Sequence, residues 1–217
     1  MLAVVAAACA PTGGGGASQP AAPAEPAVKR VVTLADSYEP KAITETFLGQ
    51  QSSGNNVRQI VQDGLVKNPQ YQLYEPQLAE EIPSIAKGTW KVNPDRTMET
   101  TWRLRPNIKW HDGQPFTSAD LLFTHEIGRD TEIAGVTAAS ASGKLMDSVS
   151  APDPLTFVVH WSAPFVTADL TGVGDILPKH LTEDMYRKDK QSLVNSPLLS
   201  TEFVGLGPYR MVHWEQG

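Results

Sequence analysis

A single cysteine in 217 residues rules out a disulfide within the chain, so cysteine pairing says nothing about its compartment. No window holds the roughly 18 consecutive apolar residues of a membrane-crossing helix. Positive charge is in short supply: 18 Lys and Arg stand against 24 Asp and Glu, a formal net charge of −6. That balance argues against a nucleic-acid partner, whose phosphates need a basic face. Also absent are a Gly-x-Ser-x-Gly elbow, a Walker loop and a His-Glu-x-x-His helix. The five histidines, His111, His125, His160, His180 and His213, show no short ligand spacing, so neither a metal site nor a cofactor is predicted.

An apolar content of 41% is enough to bury a core. The beginning of the chain is different. Met1 to Ala8 is short, apolar and free of Lys and Arg, and it ends in Ala6-Ala7-Ala8-Cys9. Small residues before a cysteine resemble the end of a bacterial lipoprotein signal, in which Cys9 is lipidated; the other reading is an alanine-rich tail with an incidental cysteine. With no basic segment ahead of the apolar run, the lipoprotein reading expects a start upstream of Met1. Residues 10–28 follow, with the Gly13 to Gly16 run and Pro11, Pro20, Pro23 and Pro26, and are too poor in apolar surface to offset their ordering entropy. They read as a flexible tether, and 29–217 as the folded part.

Arg30 to Ala35 is short and β-branched and reads as a first strand. Asn55 to Gly64 reads as a helix with Val57, Ile60 and Val61 on one face, stopped by Gly64. A hairpin is legible next: Thr89 to Val92 and Thr97 to Leu104 flank Asn93-Pro94-Asp95-Arg96, a run of turn formers. Met98, Thr100, Trp102 and Leu104 alternate with polar residues, which places them on the inner face of a strand. Phe157, Val159 and Trp161 do the same after Pro152-Asp153-Pro154. Trp90, Trp102 and Trp110 are expected as anchors of this sheet.

Asp112-Gly113 suits a tight turn, with the Asp side chain bonding nearby amides, although His111-Asp112 is also half of a catalytic triad. Thr117 to Asp120 has the form of a capping box, and Ala119, Leu122, Phe123 and Ile127 then define one buried helical face. Thr131 to Ser142 reads as an irregular loop, and Thr182 as the cap of a short helix. Gly207 before Pro208 reads as a device for backbone freedom. Ser84-Ile85-Ala86-Lys87 has the Ser-x-x-Lys spacing of acyl-transferring penicillin-binding enzymes, but it lies between Pro83 and Gly88 and lacks a Lys-Thr-Gly partner. Chance is the better reading there, and no enzyme is expected.

Three stretches carry a family resemblance: Trp102 to Arg105 with Ile108 to Phe123, Ile176-Leu177-Pro178-Lys179-His180-Leu181, and Val204-Gly205-Leu206-Gly207-Pro208-Tyr209. Together with Gly64-Leu65-Val66 and Pro76-Gln77-Leu78-Ala79-Glu80, they resemble the bacterial extracellular solute-binding proteins of family 5, receptors of ABC importers for peptides, with nickel-binding and other relatives. Leu206 stands where the family pattern has Thr. The resemblance implies an α/β fold, the periplasmic-binding-protein-like (type II) two-lobed clamshell, of which this chain supplies the N-terminal lobe region. It further implies a monomer held outside the cytoplasmic membrane by lipid on Cys9, capturing di- or oligopeptides for ABC permease subunits. By the same resemblance Gln50, Gln51 and Ser52 line the ligand cleft. A nickel complex, an opine or an oligosaccharide remains open as the solute, since fold does not fix ligand.

Overall fold

The computed structural model describes residues 33, 42–44, 55–70, 73–133, 141–170 and 175–215. Contacts divide the chain after Ala35, and every element below belongs to the unit Asp36–Gly217. The expected first strand, Arg30 to Ala35, lies outside the described residues apart from Thr33.

The sheet that organises the unit is built from the segments whose alternation is plainest. β3 (Trp90–Val92) and β4 (Met98–Arg103) form the expected hairpin, with Trp90 opposite Thr100 and Val92 opposite Met98. β6 (Thr156–Trp161) pairs antiparallel with β4, so that Trp102 faces Phe157 and Thr100 faces Val159. β5 (Met146–Asp153) completes the order β3-β4-β6-β5. Inward-facing Met98, Thr100, Trp102, Leu104, Phe157, Val159 and Trp161 are all buried, because a period of two places alternate side chains on one face. A separate ribbon of β1 (Val66–Gln70) and β2 (Leu73–Pro76) precedes the sheet; it was not foreseen. All named strand pairs are antiparallel.

α2 (Ser118–Gly128) has Thr117 at its cap and closes the expected box, Asp120 accepting the Thr117 N–H at 2.9 Å. Phe123 and Ile127 are buried as expected, but the rest of the face differs. Leu121 is buried and Leu122 exposed, because the helix lies between two apolar clusters: Leu121 enters the sheet core with Trp102 and Trp161, while Phe123 and Ile127 enter a second core. That second core joins α2 to α4 (Lys179–Lys188) and α5 (Lys190–Val194) through Tyr186, Leu177 and Leu193. Polar Ser118 and Thr124 are buried on the same helix and are bonded, to the Asp153 carbonyl and the Leu177 N–H. A five-residue helix, α3 (Ala141–Leu145), leads into β5; its first two residues fall in the stretch, Thr131 to Ser142, that read as loop. Thr182 caps nothing: it sits inside α4 and its hydroxyl donates to the Pro178 carbonyl at 2.8 Å, while Pro178 holds the cap position.

Across the second core, Asp130 accepts from Tyr186 Oη at 2.6 Å and pairs with Lys190 Nζ at 2.7 Å. These bonds, Lys190 first, hold its carboxyl down at about 2, and burial followed by Asp130 pushes the Tyr186 hydroxyl up to about 12. A carboxylate whose folded value is depressed contributes stability above its unfolded value of about 4, and that contribution is lost as pH falls through the folded value. Asp130→Asn should therefore lower the urea midpoint at pH 6, with the gap to wild type narrowing steadily below about pH 4. A gap that stays constant down to pH 3 would show that the pair contributes no charge-dependent stability.

Candidate functional site

α1 (Asn55–Val61) is seven residues long, too short to persist in isolation, so its place is set by what it docks on. Two segments distant in sequence hold it. On the last turn, Arg58 forms an ion pair with Asp175, whose side chain is fully buried while that of Arg58 is about one third exposed. After the last turn the Gln62 carboxamide works in both directions: Nε2 donates to the Ile176 carbonyl at 3.1 Å and Oε1 accepts the Leu206 N–H at 3.1 Å. The open carbonyls at the end of α1 are filled by the same segment, Gly207 N–H to Val61 at 2.9 Å and Tyr209 N–H to Ile60 at 3.2 Å.

Those backbone bonds require an approach that only glycine allows. A Cβ on Gly207 would lie 2.4 Å from the Val61 carbonyl carbon, 2.6 Å from Gln62 N and 2.7 Å from the Ile60 oxygen; one on Gly205 would lie 2.1 Å from the Val61 oxygen. The expectation of backbone freedom before Pro208 is thus replaced by a steric reason. Positive φ occurs instead at Gly113, 92°, in the turn where Asp112-Gly113 was expected to reverse the chain.

That turn clasps the same segment. His111 donates its N–H to the Gly205 carbonyl at 3.0 Å, its Nδ1 accepts the Gly205 N–H at 3.2 Å, and Nε2 lies 2.8 Å from the Gly207 oxygen. A carbonyl at one nitrogen and an N–H at the other define the neutral tautomer with its proton on Nε2. Asp112 bonds the Gln114 amide at 3.0 Å, as read from sequence, but its second oxygen takes His180 Nε2 at 2.6 Å, at the head of α4. Burial opposes ionisation of Asp112, yet the His180 and Gln114 bonds together hold its carboxyl below the ordinary value. His111 and Asp112 therefore serve different partners and form no triad. The clasp made by His111 was not visible in sequence, because its partners lie more than ninety positions away.

Of the predicted site residues, Gln50, Gln51, Ser52 and Cys9 lie outside the described residues. Ser84 and Lys87 are described, and the geometry does not join them. Lys87 Nζ pairs with Glu81 at 2.5 Å, Ser84 is tied through its backbone to Thr89, and the stretch between them is a turn rather than a helix. No group of three or more His, Cys, Asp or Glu suited to a metal occurs among the described residues, and no described helix is long and apolar enough to cross a membrane.

Residues 75–217 match the model of the bacterial extracellular solute-binding proteins, family 5 middle. A Brucella ovis protein named as an ABC transporter peptide-binding protein is 30% identical over 140 residues, covering 64% of this chain and 25% of its own length. The chain thus spans about a quarter of the length of the curated relatives it matches. Among solved structures, the oligopeptide-binding protein of Thermus thermophilus with a pentapeptide superposes with a TM-score of 0.70 at 18% identity, covering 84% of this chain and 35% of that one. NikZ of Campylobacter jejuni with Ni(L-His) gives 0.60 at 23% identity over 82% and 32%. The fold is therefore that of type II periplasmic binding proteins, in a portion consistent with one lobe.

Proposed function

This chain belongs to the bacterial extracellular solute-binding proteins of family 5, and from that membership we propose that it is part of a receptor capturing di- or oligopeptides for an ABC importer. The observation that carries the reading is the family match over 75–217, together with superposition on a structure that holds a pentapeptide. Solute lies between two lobes, and hinge closure buries it. Binding favours closure because solute touches both lobes only in the closed state. An extended peptide draws affinity from main-chain hydrogen bonds, which every sequence offers, while roomy wet pockets tolerate varied side chains.

In this reading Gln50, Gln51 and Ser52, entering α1 from its N-terminal side, supply polar contacts, and no covalent step takes place. Cys9 carries the lipid, residues 10–28 act as the tether, and the closed monomer docks on the permease at the outer face of the cytoplasmic membrane. An acyl-transfer role for Ser84 gains no support, since Lys87 is engaged by Glu81. A second reading, a non-peptide solute, is favoured by superposition on NikZ with Ni(L-His) and on AgaA with agropinic acid, the latter at a TM-score of 0.59. Native mass spectrometry of the full-length receptor, purified without its leader, separates the two. Co-purified masses that fragment as short peptides are expected. A clean mass that stays unshifted with a mixed tri- to hexapeptide pool, but shifts with nickel plus histidine or with an opine, would replace peptide with the second solute class.

A further inference from the structure

We infer that His111 is an acid-opened clasp: as a neutral ring it ties Gly205 and Gly207 to the turn at 110–113, and uptake of a proton at Nδ1 unties Gly205. The inference does not depend on which solute the receptor takes.

Three observations carry it. First, the ring is used at both nitrogens and in opposite senses. Nδ1 accepts the Gly205 N–H at 3.2 Å, while Nε2 lies 2.8 Å from the Gly207 oxygen, an acceptor that needs a donor there. Only the neutral ring with its proton on Nε2 meets both demands. An imidazolium carries a proton on each nitrogen, so its Nδ1–H and the Gly205 N–H would point at one another. Second, Gly205 is buried, and Nδ1 is the acceptor of its N–H among the described residues. His111 is half-buried, so a proton reaches the ring without unfolding. Third, the charged groups on the surrounding elements are engaged elsewhere. Asp112, next in the turn, takes His180 of α4 and the Gln114 amide, and Lys179 of α4 pairs with Glu183. At the end of α1, Arg58 pairs with Asp175, and Asp63 accepts from Gln77. The clasped segment presents backbone, its flanking Glu202 and Arg210 being exposed. Among the described residues no carboxylate is paired with the His111 ring to hold an imidazolium in place.

Proton uptake does not release the segment from α1. Gly207 and Tyr209 stay bonded to Val61 and Ile60, Leu206 stays bonded to Gln62, and the His111 N–H still donates to the Gly205 carbonyl. What opens is the bond whose acceptor titrates near neutrality. Its sign follows from the protonation state it needs: the clasp is complete above the ordinary histidine value of about 6.5 and is lost as pH falls below it. At about pH 5 a free ring favours its charged form about thirtyfold, so the closing constant falls by about that factor. A member of an extracellular family meets the pH of its surroundings, which brings this range within reach.

Residue-resolved hydrogen exchange of the full-length receptor, corrected for the intrinsic rate at each pH, tests the clasp. Protection of the Gly205 amide should fall at least tenfold between about pH 7.5 and about pH 5. The Leu206 amide, whose acceptor Gln62 Oε1 does not titrate, should stay within about twofold over the same range. His111→Asn offers Gly205 a carboxamide oxygen that takes up no proton in this range, so protection there should no longer follow pH. Ring-nitrogen chemical shifts of histidine-labelled receptor should show the Nε2–H tautomer at the higher pH. Protection at Gly205 that ignores pH, that falls in step with Leu206, or that falls equally in His111→Asn would overturn the inference, as would the Nδ1–H tautomer. Should the variant fail to fold, the contrast between Gly205 and Leu206 and the tautomer decide the matter in wild type. All of these readouts stand if the receptor ignores peptides, so the peptide reading and the clasp fail separately.

Discussion

Gly207→Ala is expected to lower stability by about 3 to 5 kcal/mol, beyond the about 1 to 3 kcal/mol of ordinary overpacking, because the atoms met are backbone and cannot swing aside. The new Cβ would fall within 2.7 Å of main-chain atoms of Ile60, Val61 and Gln62. Relief requires the 205–209 segment to lift from α1, which breaks the Gly207 and Tyr209 bonds to Val61 and Ile60 and the Leu206 bond to Gln62. Each such bond is worth about 1 kcal/mol, and the freed groups are in part buried. In a domain of this size the loss is a fall in melting temperature of about 10 °C. Gly113→Ala provides the control: nothing lies within 4 Å of its Cβ, so only the positive φ of 92° opposes it, at about 1 to 2 kcal/mol. Thermal melts of the two variants should differ clearly. If Gly113→Ala were the more damaging, close approach would not be the reason for glycine at 207.

How far the chain could be read follows from the range over which each feature is encoded. β4 and β6 were legible because one face of each is buried and the other is not, so Met98 to Leu104 and Phe157 to Trp161 alternate. The capping box at Thr117 and the turn at Asp112-Gly113 were legible because their partners lie within three residues. β5 was not, since it is an edge strand, largely exposed, broken by register shifts and containing Pro152. An edge strand needs no apolar stripe, so its pattern is silent. The face of α2 was legible at Phe123 and Ile127 but not at Leu121 and Leu122, because two cores flank the helix, which widens the buried arc and breaks the single-stripe rule. At the site the limit is sharper. Gln62, Asp175, Gly205 and His111 meet only in three dimensions, and nothing local distinguishes His111 from the exposed His213. The glycines of Val204 to Tyr209 were conspicuous as a pattern, yet their cause, contact with the backbone of α1, belongs to the tertiary structure.

Losses of the same size should come from the tryptophans of the sheet, and these should not be equivalent. Trp102 and Trp161 are both buried, and truncation of either to alanine is expected to cost about 3 to 5 kcal/mol through lost burial and an unfilled cavity. Phenylalanine separates them. Trp161 Nε1 donates to Thr100 Oγ1 at 3.0 Å and its ring stacks on Phe165 with centroids 5.4 Å apart. Trp161→Phe keeps much of the stacking but strands the Thr100 hydroxyl in a position with no exposure, a penalty of about 1 to 3 kcal/mol beyond the lost volume. Trp102 Nε1 is buried without a partner, so Trp102→Phe removes a group that already opposes folding. Urea unfolding should therefore rank Trp161→Phe as the more damaging by about 1 to 2 kcal/mol. Adding Thr100→Val to Trp161→Phe should recover most of that difference, since replacing both partners of a buried bond by apolar groups leaves neither stranded. Equal midpoints for the two phenylalanine variants, with no recovery in the double variant, would show that volume alone governs this core and that the Trp161 to Thr100 bond contributes nothing to it.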